Sequence, residues 1–296
     1  MFSGLSAFPL TPLNESEIDE AAFVRQVERL AGAGVDSICA LGSTGSYAYL
    51  TRAERARIAQ LAVRHAGDVP VIVGIGALRT RDVLSLAQDA QQAGASGVLL
   101  APVSYQKLSH DEVFGLFEDV TRSLSVPLCV YDNPGTTHFE FSDELHGRIA
   151  RLPQVASIKI PPPPADPAAA HARVERLRAL VPAHVTIGVS GDASAATGLL
   201  AGCDAWYSVM AGVFPRVPLA ITRAAQAGNA QEARRLSDRL APLWALFGQY
   251  GSLRVIATAA ELRGLVSAPS LPLPVKSLEG EVRQRIAAML DELDVA

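Results

Sequence analysis

Lysine is scarce in this chain. Of 26 basic residues only Lys107, Lys159 and Lys276 are lysine, and the other twenty-three are arginine. Basic charge is not in excess either: 30 acidic residues leave a net charge of -4, which argues against a nucleic-acid partner. The three cysteines, Cys39, Cys129 and Cys203, are odd in number, widely spaced and set in apolar contexts. That excludes a disulfide framework or a zinc knuckle and suggests small buried hydrophobes. His65, His110, His138, His146, His171 and His184 show no metal-ligand spacing, so no metal or other cofactor is expected. No stretch approaches the roughly 18 apolar residues of a membrane span, and Met1 to Pro12 lacks the basic start of a signal peptide. No membrane association and a cytoplasmic location are therefore expected.

The chain does have an ample apolar fraction, 49% of its residues, arranged in a repeating pattern. Short apolar runs alternate with stretches of helical period, as in repeated βα units around a parallel sheet. The runs are Leu5–Phe8, Ser37–Leu41, Val71–Gly74, Gly97–Leu100, Pro127–Tyr131, Val155–Ile160, Val185–Val189 and Ala205–Val209. Eight strands suggest a closed (β/α)8 TIM barrel. Gly34, Gly94 and Gly202 each follow an alanine at the end of a helix and precede a strand, where glycine supplies the left-handed cap. Their separations of 60 and 108 residues divide into units of 30 and 27, one βα unit each. Beyond the eighth strand, Val217–Ala227, Ala230–Phe247, Ser252–Arg263 and Leu278–Leu293 read as helices. The barrel is expected over residues 1–227 and a C-terminal helical appendage over residues 228–296. Pro161–Pro164 and Pro269–Pro274 read as loops.

In such a barrel the active site lies where the strands end in the βα loops. Within Val155–Ile160, alternation puts Val155, Ser157 and Lys159 on one face and Ala156, Ile158 and Ile160 on the face that suits the helix layer. Lys159 is then directed into the barrel mouth, where lost hydration disfavours its charged form and favours an attacking amine. A chain that uses arginine for ordinary surface charge has a chemical reason to keep a lysine here, because guanidinium is no amine nucleophile. The competing reading is a lysine whose ammonium reaches a structural carboxylate. The loop Gly42–Ser43–Thr44–Gly45–Ser46 ahead of a helix beginning near Thr51 can converge backbone N–H groups and hydroxyls on a carboxylate, or be an ordinary turn. It lacks a P-loop lysine, and Gly74–Ile75–Gly76 lacks the third glycine of a dinucleotide fingerprint. Tyr131 precedes the turn Asp132–Asn133–Pro134–Gly135 and either passes protons at the mouth or caps the core with a bonded hydroxyl.

The order and spacing of Thr11–Pro12, Gly42–Ser43–Thr44–Gly45, Tyr131–Asp132–Asn133–Pro134, Ile158–Lys159 and Gly191–Asp192 resemble the dihydrodipicolinate synthase and N-acetylneuraminate lyase superfamily over nearly the whole chain. The resemblance implies that Lys159 forms a Schiff base with pyruvate or a related 2-oxo acid, and that Tyr131 is the acid/base. It also implies that Ser43 and Thr44 bind the carboxylate, and that Thr44 links Tyr131 to a tyrosine lent by a neighbouring subunit of a homotetramer, with Tyr105 the nearest match. Gly42, Thr136, Gly191 and Tyr207 join the substrate-binding candidates. The chain departs from the pattern at Thr136, where true dihydrodipicolinate synthases resemble one another in an arginine that holds the second substrate's carboxylate. It departs also at Ser46 in place of glutamate, at Ile160–Pro161–Pro162, and in a Tyr105 loop about one residue longer than usual. The expectation is a lyase or aldolase that acts on pyruvate or a related 2-oxo acid, by aldol condensation, cleavage or dehydration of a 2-oxo-3-deoxy acid. Its acceptor is expected to be neutral and hydroxylated near Thr136, such as a sugar acid fragment, and the chain to be a poor dihydrodipicolinate synthase. A genuine synthase would need its arginine relocated, with Arg79 and Arg254 as candidates. A metal-dependent aldolase would need ligands the sequence does not gather, and a non-catalytic 2-oxo acid binder would have no use for a nucleophile.

Overall fold

The computed structural model describes residues 1–293. Eight strands form a closed parallel barrel: β1 (Gly4–Ala7), β2 (Ser37–Ala40), β3 (Val71–Gly74), β4 (Gly97–Leu100), β5 (Leu128–Tyr131), β6 (Val155–Ile160), β7 (Thr186–Val189) and β8 (Ala205–Ser208). Each pairs with its successor, and β8 returns to β1 in the register Gly4–Ala205 to Ala7–Ser208. Every strand lies within a residue or two of its expected run. The sequence signal is strong because a strand buried on both faces must be apolar throughout.

Two apolar layers follow from the alternation. Outward residues such as Ile38, Val98, Val130, Ile158 and Ile187 pack under the ring of helices. Inward ones, among them Phe8, Cys39, Leu99, Cys129, Tyr131 and Tyr207, fill the barrel itself. The interior is thus a packed core rather than a channel. Gly34, Gly94 and Gly202 all have positive φ and end the helices Glu20–Ala33, Thr80–Gln92 and Ala195–Leu200, as the repeat predicts. No helix among the described residues is long and apolar enough to cross a membrane.

Outside the barrel one expectation needs correcting. Residues 230–247 do not form a single helix: Ala230–Arg239 stops, and Ala241–Tyr250 begins with Pro242 in its first turn. Proline cannot donate the N–H that would continue the first helix, whereas the start of a new one needs no such donor. The break sets Ala241–Tyr250 over the barrel mouth. Two further helices, Ser252–Leu262 and Gly280–Glu292, complete the appendage.

Candidate active site

Lys159 is the penultimate residue of β6 and pairs in register with Tyr131 at the end of β5. It is 4% exposed, whereas Lys107 and Lys276 lie on the surface. Its amine stands 3.9 Å from the centroid of the Tyr131 ring, 4.0 Å from that of Phe8 and 5.7 Å from that of Tyr207. Ring faces attract an ammonium without fixing it as a carboxylate would. Among the described residues no carboxylate makes an ion pair with it, so the alternative of a lysine tied to a structural acid finds no partner.

Asn133 and its turn aim the Tyr131 hydroxyl. The Asn133 amide donates to the tyrosine oxygen at 2.9 Å and also to the Thr136 hydroxyl. The phenol oxygen therefore accepts from Asn133, and its own proton is left free to be donated. Sequence reasoning treated Asn133 only as a turn residue. Its place three positions before Thr136, with Pro134 opening the short helix Pro134–Thr137, was the available signal.

The glycine loop leaves β2 through Leu41, whose φ of 58° is unusual for a residue with a Cβ. Gly74 on β3 makes that turn possible, because a Cβ there would lie 1.9 Å from the Leu41 carbonyl oxygen. Gly42 backs onto the Phe8 ring and Gly45 onto Thr11, so Gly42 supports the loop rather than lining the cavity. The turn's own hydrogen bonds are Gly45 N–H to Gly42 and Ser46 N–H to Ser43, and the N–H groups of Ser43 and Thr44 take no part in them. Ser43 and Thr44 both line the cavity. Thr51 caps the following helix in a reciprocal box with Glu54, a motif whose N-cap is worth about 1 kcal/mol.

Tyr47, next in the chain, also lines the cavity and was not foreseen. Burial, then the neighbouring Tyr131, pushes its phenol up to about 12, with Arg55 opposing. The Arg55 guanidinium lies 5.1 Å from the Tyr47 ring centroid and is spent on the carbonyls of Gly76 and Gly74.

Gly191 and Tyr207 reach the cavity by different means. Gly191, at φ 82°, packs against Pro162 where a Cβ would come within 2.6 Å. Its neighbour Asp192 accepts from the Trp206 indole and the Val209 N–H at one oxygen and from the Met210 N–H at the other, bracing the loops after β7 and β8. Burial raises Asp192 above the usual carboxylate range against the pull of these bonds. Tyr207 presents its ring, while its hydroxyl meets Ser157 at 2.7 Å and the Cys129 thiol at 3.5 Å, one layer below Lys159. Tyr105 is 92% exposed and does not line the cavity of its own chain. Thr136 lines the rim, but Arg79 and Arg254 do not. The cavity holds about 740 Å³, and Trp244 and Phe247 of the helix Ala241–Tyr250 contribute to its wall. Among the described residues no group of three His, Cys, Asp or Glu side chains is arranged to hold a metal.

The family model of the Dihydrodipicolinate synthetase family matches residues 1–293. The chain belongs to this family. It is an aldolase or lyase of the class that works through a lysine Schiff base. Among curated relatives it is similar to the 4-hydroxy-tetrahydrodipicolinate synthase of Parvibaculum lavamentivorans, 31% identical over 291 residues, spanning 97% of this chain and 96% of the relative. A solved dihydrodipicolinate synthase from Agrobacterium tumefaciens is 46% identical with a TM-score of 0.95, covering 99% of this chain and 98% of the other. The Acinetobacter baumannii enzyme, solved in complex with pyruvate, shares the fold at 24% identity and a TM-score of 0.91, with each chain fully covered.

Proposed function

We propose that Lys159 is the Schiff-base lysine, that pyruvate or a related 2-oxo acid is its partner, and that the second reactant is neutral where it meets Thr136. The observation that carries this reading is a buried lysine caged by aromatic faces, free of any acid, beside a tyrosine whose oxygen is already supplied with a donor. The unpaired amine attacks the keto carbon and water leaves. The imine then draws electrons from C3 as Tyr131 moves a proton, giving an enamine. The unused N–H groups and hydroxyls of Ser43 and Thr44 suit the carboxylate of the bound acid.

The curated relatives' name favours a second reading, that of a genuine dihydrodipicolinate synthase. A charged acceptor would need a cation at the rim, where this chain has Thr136 and where neither Arg79 nor Arg254 lines the cavity. Neutral acceptors or neutral retro-aldol products fit better.

A homotetramer built as a dimer of dimers, with Tyr105 lent to a neighbouring site, belongs to the same proposal. Tyr49, Leu78 and Tyr105, exposed on the successive loops after β2, β3 and β4, support it as an apolar rim in need of cover. Sedimentation as a tetramer is the expected outcome, and a monomer would remove Tyr105 from the site.

The test of the chemistry is covalent. Pyruvate with borohydride should add one three-carbon unit to the protein, at Lys159. An adduct that persists in Lys159→Ala would falsify the assignment.

A further inference from the structure

Lys159, Tyr131 and the Ser43–Thr44 turn account for the keto acid but leave the wall built by the C-terminal helices unexplained. Trp244 and Phe247 stand one helical turn apart on Ala241–Tyr250, with ring centroids 5.6 Å apart and planes inclined at 56°. Both are half-buried and line the cavity. The Trp244 indole N–H is already committed to the Ser237 carbonyl at 3.1 Å, so the ring offers the cavity apolar surface rather than a donor. Leu253 extends the same wall. Apart from Lys159, the acid or base of formal charge that lines this space is Asp192, and both its oxygens are bonded within the protein. A volume of about 740 Å³ far exceeds what a six-heavy-atom keto acid fills and lies in the range of sites for much larger ligands, about 300–1,000 Å³. A second reactant bearing a charge would be desolvated there with no free charged partner among the lining residues, and the part of it that meets Trp244, Phe247 and Leu253 meets apolar surface.

Building on the Lys159 reading, we propose that the second reactant is a neutral aldehyde carrying a planar apolar group, an aryl aldehyde in the simplest case, whose ring rests on the Trp244–Phe247 wall. C3 of the enamine attacks the aldehyde carbon and a carbon–carbon bond forms. The carbonyl π pair moves to oxygen, which takes the proton that Tyr131 carries. That proton replaces the one lost from C3 when the enamine formed, so the sum is pyruvate plus aldehyde with no oxidant or reductant. Water then hydrolyses the imine, freeing the amine and a 4-hydroxy-4-aryl-2-oxobutanoate. The reverse sequence cleaves such an acid.

The experiment compares benzaldehyde with glyceraldehyde as partners for pyruvate, using the full-length protein, and measures cleavage of the corresponding adducts. Wild type should favour the aryl substrate by at least about tenfold in kcat/KM, because aromatic contact adds to apolar burial. Phe247→Leu, which keeps bulk and removes the ring, and Trp244→Leu should each lower that ratio by about tenfold. Borohydride trapping of pyruvate, run in parallel, reports imine chemistry separately. Adduct without aryl preference in the wild type, or wall variants that leave the ratio unchanged, would overturn the proposal alone. No adduct in the wild type would bring down the Lys159 reading and this inference with it.

Discussion

Tyr131 and Tyr207 stand on strands of the same barrel, face the same interior and belong to the same buried cluster, yet they are prepared for opposite fates. The Tyr207 hydroxyl is closed in by Ser157 and the Cys129 thiol, and Ser157 is itself held by Thr186 at 2.9 Å. Burial lifts the Tyr207 phenol well above its ordinary range, and Cys129 adds to the effect. Tyr131 sits two residues beyond Cys129 on β5, receives one donor from Asn133 and opens onto the cavity. Lys159 bears the same relation to Ser157 on β6. One step of two residues along a strand, less than 7 Å of rise, separates a layer that seals the barrel from the layer in which we place the chemistry. The two tyrosines are the same residue type, so what sets them apart is depth in the barrel and the neighbours that come with it.

The sharpest way to break this contrast is at the amine. Lys159→Arg keeps positive charge in the ring cage but offers no attacking nitrogen, so turnover and borohydride labelling should both fall to background. Measurable turnover in that variant would mean that charge alone suffices. Next comes Tyr131→Phe, expected to fold and to bind pyruvate while losing about 10²- to 10⁴-fold in kcat. Wild-type rates would return Tyr131 to the sealing layer with Tyr207. At the rim, Thr136→Arg should raise the use of aspartate semialdehyde by about one to two orders of magnitude, the worth of a charge-assisted hydrogen bond of roughly 1.5 to 3 kcal/mol. A null result in the kinetic comparison with glyceraldehyde would show that another group sets acceptor choice. The smallest effect is expected below the reactive layer. Tyr207→Phe keeps the ring that lines the cavity and loses about 1 kcal/mol of stability with the buried hydroxyl. Denaturant titration should detect that loss while kcat stays within about threefold, and a large fall in kcat would dissolve the distinction between the layers.

Much of this arrangement could be read from the sequence because its causes are local. Doubly buried strands are apolar along their length, glycine marks the left-handed turns, and a lysine stands out where arginine is the habit. What escaped depends on contacts between distant segments or on ambiguous local signals. Asn133 looked like any turn residue until its amide was seen to reach the Tyr131 oxygen. Trp244 and Phe247 lay inside the single helix expected over Ala230–Phe247, and the break before Pro242 turns them to the mouth. Pro242 carries the division in the sequence itself, because proline cannot continue a helix but suits the first turn of a new one. Gly42 and Tyr207, both substrate-binding candidates from the sequence, meet the cavity unequally: Gly42 lies behind the loop against Phe8, and Tyr207 lines the cavity with its ring while its hydroxyl is bonded below.

The cage of rings around Lys159 also gives the protein a magnetic signature. An amine held about 4 Å above two aromatic faces lies in their shielding cones, so the ε-methylene protons of Lys159 should resonate upfield of those of the exposed Lys107 and Lys276. In a lysine-labelled sample three side-chain signals span the whole chain. The proposed conversion of the Lys159 amine to an imine would change one of them and leave the other two as internal standards, so that step could be followed by resonance with no second reactant present.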